Sequence, residues 1–161
     1  MALNASLKLK GQKQGQIKGS VTEKGREDSI AVIAVSHEVL SPRDAASGLA
    51  SGKRMHKSLV ITKELDKSSP LLYNALVTNE AITEWTLQFW RPDRAGADKA
   101  IYTINLKNAS IASIQFVMPN DKQPEFAKLA EYEQVAFVYE KIEWTWIEGG
   151  ITASDSWQQR A

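Results

Sequence analysis

Few side chains in this sequence could carry out acid–base, nucleophilic or metal chemistry. The chain has only two histidines, His37 and His56, and no cysteine, so thiol nucleophiles, disulfides and thiolate metal sites are excluded. It also lacks the G-x-S-x-G, H-E-x-x-H and glycine-rich phosphate-loop motifs. The sequence therefore lacks the residues and motifs that an ordinary hydrolase or metal enzyme needs. We predict no enzyme activity, no catalytic residue, no metal site and no cofactor.

Two pairs of carboxylates have spacings that could in principle support acid–base chemistry. One pair is Glu131 with Glu133, and the other is Glu140 with Glu143. An acid and a base must lie within reach of the same substrate, and nothing in these spacings requires that. On exposed strands such pairs are far more often solvated, and we interpret them as solvated carboxylates.

Basic residues cluster in a short segment after Gly52. Lys53, Arg54, His56 and Lys57 could form an anion patch, but no aromatic residue close by offers a stacking platform for nucleic acid. The whole chain has 20 basic and 19 acidic residues, and its net charge of +1 provides no field for attracting nucleic acid or an anionic membrane. We expect a flexible basic loop that meets an acidic protein surface.

The segment around this cluster predicts a loop, a strand and a helix in succession. Residues 47–52 are small and contain glycine, and residues 59–62 form a β-prone run. Ser69 is placed to cap a helix whose first position is Pro70, where the missing N–H costs nothing. The helix should bury one apolar stripe formed by Leu71, Leu72, Ala75 and Leu76.

Most other segments predict β-strands. The first alternates Leu3, Ala5, Leu7 and Leu9 with polar residues, as a half-buried strand does. Residues 30–35 are apolar throughout, which fits a strand covered on both faces, either by the core or by a neighbouring subunit. Residues 85–90 and 102–106 alternate on either side of a turn and predict a hairpin. Residues 111–118 and 131–147 predict further strands, the first with Ala112, Ile114, Phe116 and Met118 on one face.

The tryptophans could lie in the core or at a contact with a partner. Trp85 and Trp90 fall on opposite faces of one strand, so one of them should pack against a partner. Trp144 and Trp146 share a face, and Trp157 could hold the C-terminus in place.

These elements fit one domain. A chain of 161 residues is long enough to bury a core without disulfides or metal. Several strands with one short helix predict an all-β barrel or sandwich, because closing a sheet removes the edges that invite aggregation.

Several sequence runs, taken in order, resemble the Hcp family, the haemolysin co-regulated proteins of bacterial type VI secretion systems. The similarity covers nearly the whole chain. The runs are SGKRMHK (51–57), T-K-x-x-D-K-S-x-P (62–70), LLYNAL (71–76), the tryptophan-bearing strand (85–90), YxIxLxNAxI (102–111), Met118-Pro119, YEKIEW (139–144) and S-D-S-W (154–157).

The resemblance implies a fold and an assembly. The fold is a closed β-barrel of two antiparallel sheets over residues 1–161, with one helix on a flank and a long protruding loop at residues 41–57. Six copies would form a ring, and rings would stack into a tube that a contractile sheath expels. A VgrG-type spike protein would sit at the tip, and effector proteins would travel in the lumen.

Three sets of residues follow as candidate sites. The ring-stacking loop would use Ser51, Lys53, Arg54, His56 and Lys57, facing acidic positions such as Asp66, Glu80 or Glu84 on the next ring. The lumen wall would include Ser36 and Glu38. Helix and subunit packing would involve Pro70, Leu71, Leu72, Tyr73, Leu76 and Trp90.

The first residues alternate polar and apolar side chains and lack the apolar core of a signal peptide, and no later run is long enough to span a bilayer. We expect synthesis in the cytoplasm and, from the resemblance, export through the type VI apparatus without a cleavable signal. We expect no membrane insertion.

Three alternatives remain open. The chain could be a tail-tube protein of another contractile injector or phage. It could also be a monomeric ligand-binding barrel with an apolar cavity, or a hydrolase with titratable groups clustered in a cleft.

Overall fold

The computed structural model describes residues 4–157, so Leu3, which was predicted to begin the first strand, lies outside the described residues. One α-helix, α1 (Ser69–Val77), and two short 3-10 helices, Pro124–Phe126 and Glu148–Gly150, accompany the strands. The strands are β1 (Asn4–Gly11), β2 (Gly15–Ile17), β3 (Ile30–Val32), β4 (Ala34–Ser36), β5 (Val39–Leu40), β6 (Met55–His56), β7 (Leu59–Glu64), β8 (Ile82–Pro92), β9 (Asp98–Lys107), β10 (Ser110–Val117), β11 (Tyr132–Val138), β12 (Lys141–Trp146) and β13 (Ile151–Ser156).

The strands form two large antiparallel sheets and one small one. The larger sheet has the order β13-β12-β9-β8-β1-β2, with β3 also paired to β1. The smaller has the order β10-β11-β7-β4, and β5 pairs with β6 alone. These findings confirm the predicted all-β fold with one short helix, and they confirm the hairpin of β8 and β9.

Two predicted single strands are each divided between the two large sheets. The run 30–35 splits at Ile33, so that β3 pairs with β1 and β4 pairs with β7. The run 131–147 splits at Tyr139 and Glu140, where the chain passes from β11 in one sheet to β12 in the other. Both predictions of one continuous strand were wrong, because side-chain alternation does not show which neighbour a strand pairs with.

In the part of the chain that the structure describes, both large sheets are open. β13 and β2 form the edges of one, and β10 and β4 form the edges of the other. The predicted closure into a barrel is therefore not confirmed.

The core lies between the two large sheets. Trp85 and Leu87 of the larger sheet meet Ile61 and Phe137 of the smaller, and the rings of Trp85 and Phe137 lie 5.3 Å apart at a steep angle. Burying one such side chain contributes about 1.5–3 kcal/mol.

Helix α1 and its N-cap both come one residue earlier than predicted. Its N-cap residue is Ser68, and Ser69 is already helical. The Ser68 hydroxyl does not cap the helix but donates to the Asp66 carboxylate. Of the predicted apolar stripe, Leu72 and Ala75 are buried, whereas Leu71 is exposed, because the helix contacts the body of the protein on one side only.

A β-bulge places Ile111 on the same face as Ile114, contrary to the faces predicted for residues 111–118. The register shifts between Ile111 and Ser113, leaving Ala112 without a partner in the ladder. An extra residue reverses the parity that follows it, so Ile111 and Ile114 both face the core. Phe116 and Met118, predicted on that same face, are exposed.

Candidate assembly surfaces

The predicted loop at residues 41–57 is an extended β-hairpin. We call residues 39–56 the protruding hairpin: β5 pairs with β6 at its base, and Arg43 bridges Ala50 nearer its tip. At the turn, Asp44 accepts hydrogen bonds from the backbone N–H and hydroxyl of Ser47, at 2.9 and 2.6 Å. These bonds lower the pKa of Asp44. The turn is therefore held by its own side chains.

Arg54 joins the protruding hairpin to the C-terminal strand of the same chain. Its Nε and a terminal nitrogen donate to the two carboxylate oxygens of Asp155, at 2.5 and 2.7 Å, and it also donates to the Ser156 carbonyl at 2.8 Å. Lys53 donates to the Trp157 carbonyl. Such bidentate pairs fix geometry as well as adding energy. The hydrogen bond from Arg54, reinforced by His56, lowers the pKa of Asp155 to about 2.

His56 is the one residue of the basic cluster that is buried. Its Nε2 lies 2.6 Å from Asp155 Oδ2, and its Nδ1 lies 2.7 Å from the hydroxyl of Tyr139. The other histidine, His37, contacts the same hydroxyl through Nε2 at 2.8 Å. The Trp157 ring stacks on His56 at 5.7 Å, in agreement with its predicted part in holding the C-terminus.

The remaining predicted stacking and lumen residues lie at the surface. Ser51 is exposed and donates its N–H to the Pro42 carbonyl. Lys57 and Glu38 form an exposed ion pair at 3.2 Å, so a predicted stacking residue and a predicted lumen residue meet in one chain. Ser36 is exposed at the end of β4. Their roles in stacking and at the lumen stay predictions.

Of the acidic positions predicted to meet the next ring, two are engaged within the chain. Asp66 lies 3.1 Å from the ammonium of Lys63. Glu80 is buried, and its carboxylate accepts the backbone N–H groups of Lys13 and Gln14 at 3.3 and 3.1 Å. Glu84 alone of the three is exposed, which makes it the best placed to meet another ring.

A buried ionic cluster lies beneath the start of α1, and the sequence analysis missed it. Lys63 donates to Glu133 Oε1 at 2.9 Å and to the Ser69 hydroxyl at 3.1 Å, and Ser69 donates to Glu133 Oε1 at 2.5 Å. Glu133 is wholly buried, so its assignment as a solvated carboxylate was wrong. Parity was the available signal, because Lys63 shares the strand face of Leu59 and Ile61.

The cluster also explains part of the T-K-x-x-D-K-S-x-P run. Lys63, Asp66 and Ser68 belong to that run, and their side chains tie the end of β7 to the start of α1. A buried ion pair of this kind fixes one arrangement of its surroundings and has no access to a substrate. We therefore assign it a structural role.

The predicted packing residues separate into buried and exposed groups. Leu72 is in the core and Leu76 packs against it, whereas Pro70, Leu71 and Tyr73 are exposed. Trp90 packs within its own chain: its Nε1 donates to the Ser6 hydroxyl at 2.9 Å, and the Arg26 guanidinium lies 4.6 Å from its ring centre. A role for these residues between subunits stays a prediction.

An apolar row leaves the core and ends at the edge of the larger sheet. Directly paired residues share a face of a sheet, and here they form the sequence Val32, Ala5, Phe89, Tyr102, Trp146 and Ile151. Exposure rises along the row from 6% at Val32 to 41% at Trp146 and 68% at Ile151. All of these residues except Ile151 line part of a groove of about 390 Å³. We call these six residues the apolar row.

Within residues 4–157, no cluster of three or more histidine or carboxylate side chains could hold a metal ion. The same residues include no helix long and apolar enough to cross a membrane.

Comparison with known proteins gives one consistent family. The family model described as "Type VI secretion system effector, Hcp" matches residues 7–146. A curated relative, the "Major exported protein" of Pseudomonas aeruginosa PAO1, is 39% identical over 167 residues, which cover 98% of this chain and 97% of the relative.

Solved structures agree over the full length of the fold. The crystal structure of an Hcp protein superposes with a TM-score of 0.90 at 33% identity, covering 99% of this chain and 100% of that chain. Hcp1 of Escherichia coli EAEC 042 superposes with a TM-score of 0.86 at 35% identity, covering 97% of this chain and 99% of that chain. The secreted protein Hcp3 of P. aeruginosa superposes with a TM-score of 0.80 at 33% identity, covering 98% of this chain and 100% of that chain.

Proposed function

Because this chain belongs to the Hcp family of type VI secretion proteins, we propose that it is the inner-tube subunit of such a system, with six copies in each ring. The chain is a structural, secreted protein and not an enzyme. The observation that carries this proposal is the match to Hcp structures over 99% of the chain. That match favours the tube over a phage tail tube, a ligand-binding barrel or a hydrolase.

The apolar row supports the proposal that the larger sheet meets another copy at its edge. A cyclic ring joins two different surfaces of the subunit, one from each neighbour. β13 is an edge strand whose Ile151 is two-thirds exposed, and an edge of this kind needs a cover. We assign that cover to the adjacent subunit. Closure of the sheets into the predicted barrel belongs to the same proposal.

For contact between rings we propose the protruding hairpin. Its base is held to β13 by Arg54 and Asp155, so its tip projects from a fixed point. Lys53 and Lys57 contact the Trp157 carbonyl and Glu38 within the chain, but both are exposed beside that base and can also meet carboxylates such as Glu84 on the next ring. Arg54 and His56 would then position the hairpin, while the two lysines make the contact.

The other partners follow from the family. We propose a VgrG-type spike at the tube tip, a contractile sheath around the tube and effector proteins in its lumen, with Ser36 and Glu38 on the lumen wall. The protein would be made in the cytoplasm and exported through the apparatus.

Light scattering on a size-exclusion column, with negative-stain images of the peak, tests the ring. A species near six times the chain mass of 17.9 kDa, seen as rings with an open centre, is expected. A stable monomer across micromolar concentrations would contradict the proposal.

A further inference from the structure

Both histidines of the chain converge on one hydroxyl group. Tyr139 lies where the chain passes from β11 to β12, and its hydroxyl is 2.8 Å from His37 Nε2 and 2.7 Å from His56 Nδ1. His37 immediately precedes the protruding hairpin, and His56 is in its second strand. The network continues from His56 to Asp155 on β13. It therefore joins the base of the hairpin to the C-terminal strand.

The donors and acceptors of this network have a defined direction when both imidazoles are neutral. An ionised Asp155 only accepts, so His56 Nε2 carries the proton and His56 Nδ1 accepts from the hydroxyl of Tyr139. The Tyr139 oxygen can then accept from His37 Nε2–H. Each polar atom along the path has a partner of the opposite kind.

One added proton can be accommodated by reversing part of the path. If His56 is protonated, its Nδ1–H donates to the Tyr139 oxygen, and the Tyr139 hydroxyl turns to donate to His37 Nε2. His37 then carries its own proton on Nδ1. In this arrangement His56 Nε2 still donates to the carboxylate of Asp155, 2.6 Å away.

A second proton has no satisfactory place. With both imidazoles charged, His37 Nε2–H and His56 Nδ1–H both point at the Tyr139 oxygen, and the Tyr139 hydrogen loses its acceptor. Two like charges would also face each other across one hydroxyl group, with His56 and Tyr139 buried and His37 partly buried.

The charges around the site come from three elements. The protruding hairpin supplies His56 and Arg54, and β13 supplies Asp155, whose charge is already paired with Arg54. Lys57 and Glu38 pair with each other at the surface beside His37. Desolvation, followed by repulsion from His56, lowers the pKa of His37, and burial raises that of Tyr139.

We propose that His37, Tyr139 and His56 form a proton-dependent latch at the base of the protruding hairpin, which accepts one proton and opens between His37 and Tyr139 when a second arrives. The latch is closed at neutral pH and opens in mild acid. Insofar as the hairpin joins rings, which rests on the proposed function, the latch makes that contact sensitive to pH.

The test follows the imidazole resonances of histidine-labelled protein between about pH 4 and 7, where Asp155, with its pKa of about 2, stays ionised. Hydrogen exchange at the amide of Lys57, which donates to the Glu38 carbonyl at the hairpin base, is measured in parallel. We expect two separate protonation steps, with protection at this amide falling at least about tenfold at the second, after correction for intrinsic exchange.

The control variant is His37→Gln, whose amide can donate to the Tyr139 oxygen but takes no proton. It should keep its protection throughout that range. Tyr139→Phe removes the shared hydroxyl but leaves the desolvation of His37, so it should narrow the separation of the two steps. Equal protection in both proteins, or independent titration of the two imidazoles in the original chain, would overturn the latch. The measurements use unstacked protein, so they stand whether or not rings form tubes.

Discussion

Lys63 and Glu133 face each other across the β7 and β11 ladder and bury their charges completely, with Nζ and Oε1 2.9 Å apart. Each of these side chains has a relative exposure of zero. Two charges on neighbouring strands therefore replace apolar residues at the place where α1 meets the sheet.

Removing one member of this pair should destabilise the protein strongly. Lys63→Met leaves the carboxylate of Glu133 buried without its cation, and breaking a buried pair in this way costs about 3–5 kcal/mol. The loss is measured by urea unfolding at one fixed protein concentration, followed by tryptophan fluorescence, because assembly also contributes to stability.

Two further variants make this test specific. Lys67→Met removes an exposed lysine from the same run and should change the free energy of unfolding by less than about 0.5 kcal/mol. Lys63→Met combined with Glu133→Leu should recover much of the loss, since the wholly buried carboxylate is then removed together with its cation and only the partly exposed Asp66 loses a partner. A Lys63→Met protein as stable as Lys67→Met would show that the pair is unimportant.

Asp155 should make the protein sensitive to acid. Hydrogen bonds from Arg54 and His56 lower its pKa to about 2 in the folded protein. A depressed carboxyl pKa stabilises the fold above the unfolded value near 4, and this contribution is lost as pH falls from there towards 2. We expect it to be about 1–2 kcal/mol, reduced by solvent because the side chain is one-fifth exposed.

Asp155→Asn provides the comparison for this pH dependence. The variant should be less stable at neutral pH and should show a shallower fall in the free energy of unfolding between about pH 4 and 2. Parallel curves for the two proteins in that range would contradict the assignment to Asp155.

Ring formation should depend on the end of the apolar row. Ile151→Lys places a charge on the apolar side of the edge strand, where burial against a neighbour would remove it from water. We expect at least about a tenfold weaker assembly, seen by light scattering as a shift from the ring towards the single chain. Thr152→Lys is the matched control, because it adds the same charge on the opposite face of β13. Equal assembly of both variants would remove the row from the interface.

The sequence predicted elements better than it predicted how they pair. The hairpin of β8 and β9 follows from alternation and a turn, which are local features. The splits at Ile33 and Tyr139 do not follow from local features. A change of sheet depends on distant partners such as Thr62, whose carbonyl accepts the Ile33 N–H. The sequence does not indicate the bulge at Ala112 either, since one inserted residue leaves the composition of the strand unchanged.

The candidate site shows the same division. The basic cluster of residues 53–57 was evident from composition, and its position on a protruding element was implied by the resemblance. Composition did not indicate the partner of each basic residue. Arg54 and His56 contact Asp155, about a hundred residues away. Two of the five predicted stacking residues therefore hold the hairpin to Asp155 within their own chain.

Stacking should depend on the two exposed lysines of this cluster, and Arg54 is a poor choice for testing it. Charge reversal at Arg54 would also break its bidentate contact with Asp155 and so disturb the hairpin itself. Lys53→Glu with Lys57→Glu reverses two charges while leaving that contact in place. We expect single rings of unchanged size but at least about tenfold less sedimenting tube at low salt, with the difference from the original protein shrinking as salt screens exposed charges.

Lys99→Glu with Lys107→Glu, two exposed lysines of β9, controls for net charge. Tubes that form equally well from both double variants would show that rings stack without the hairpin's charge.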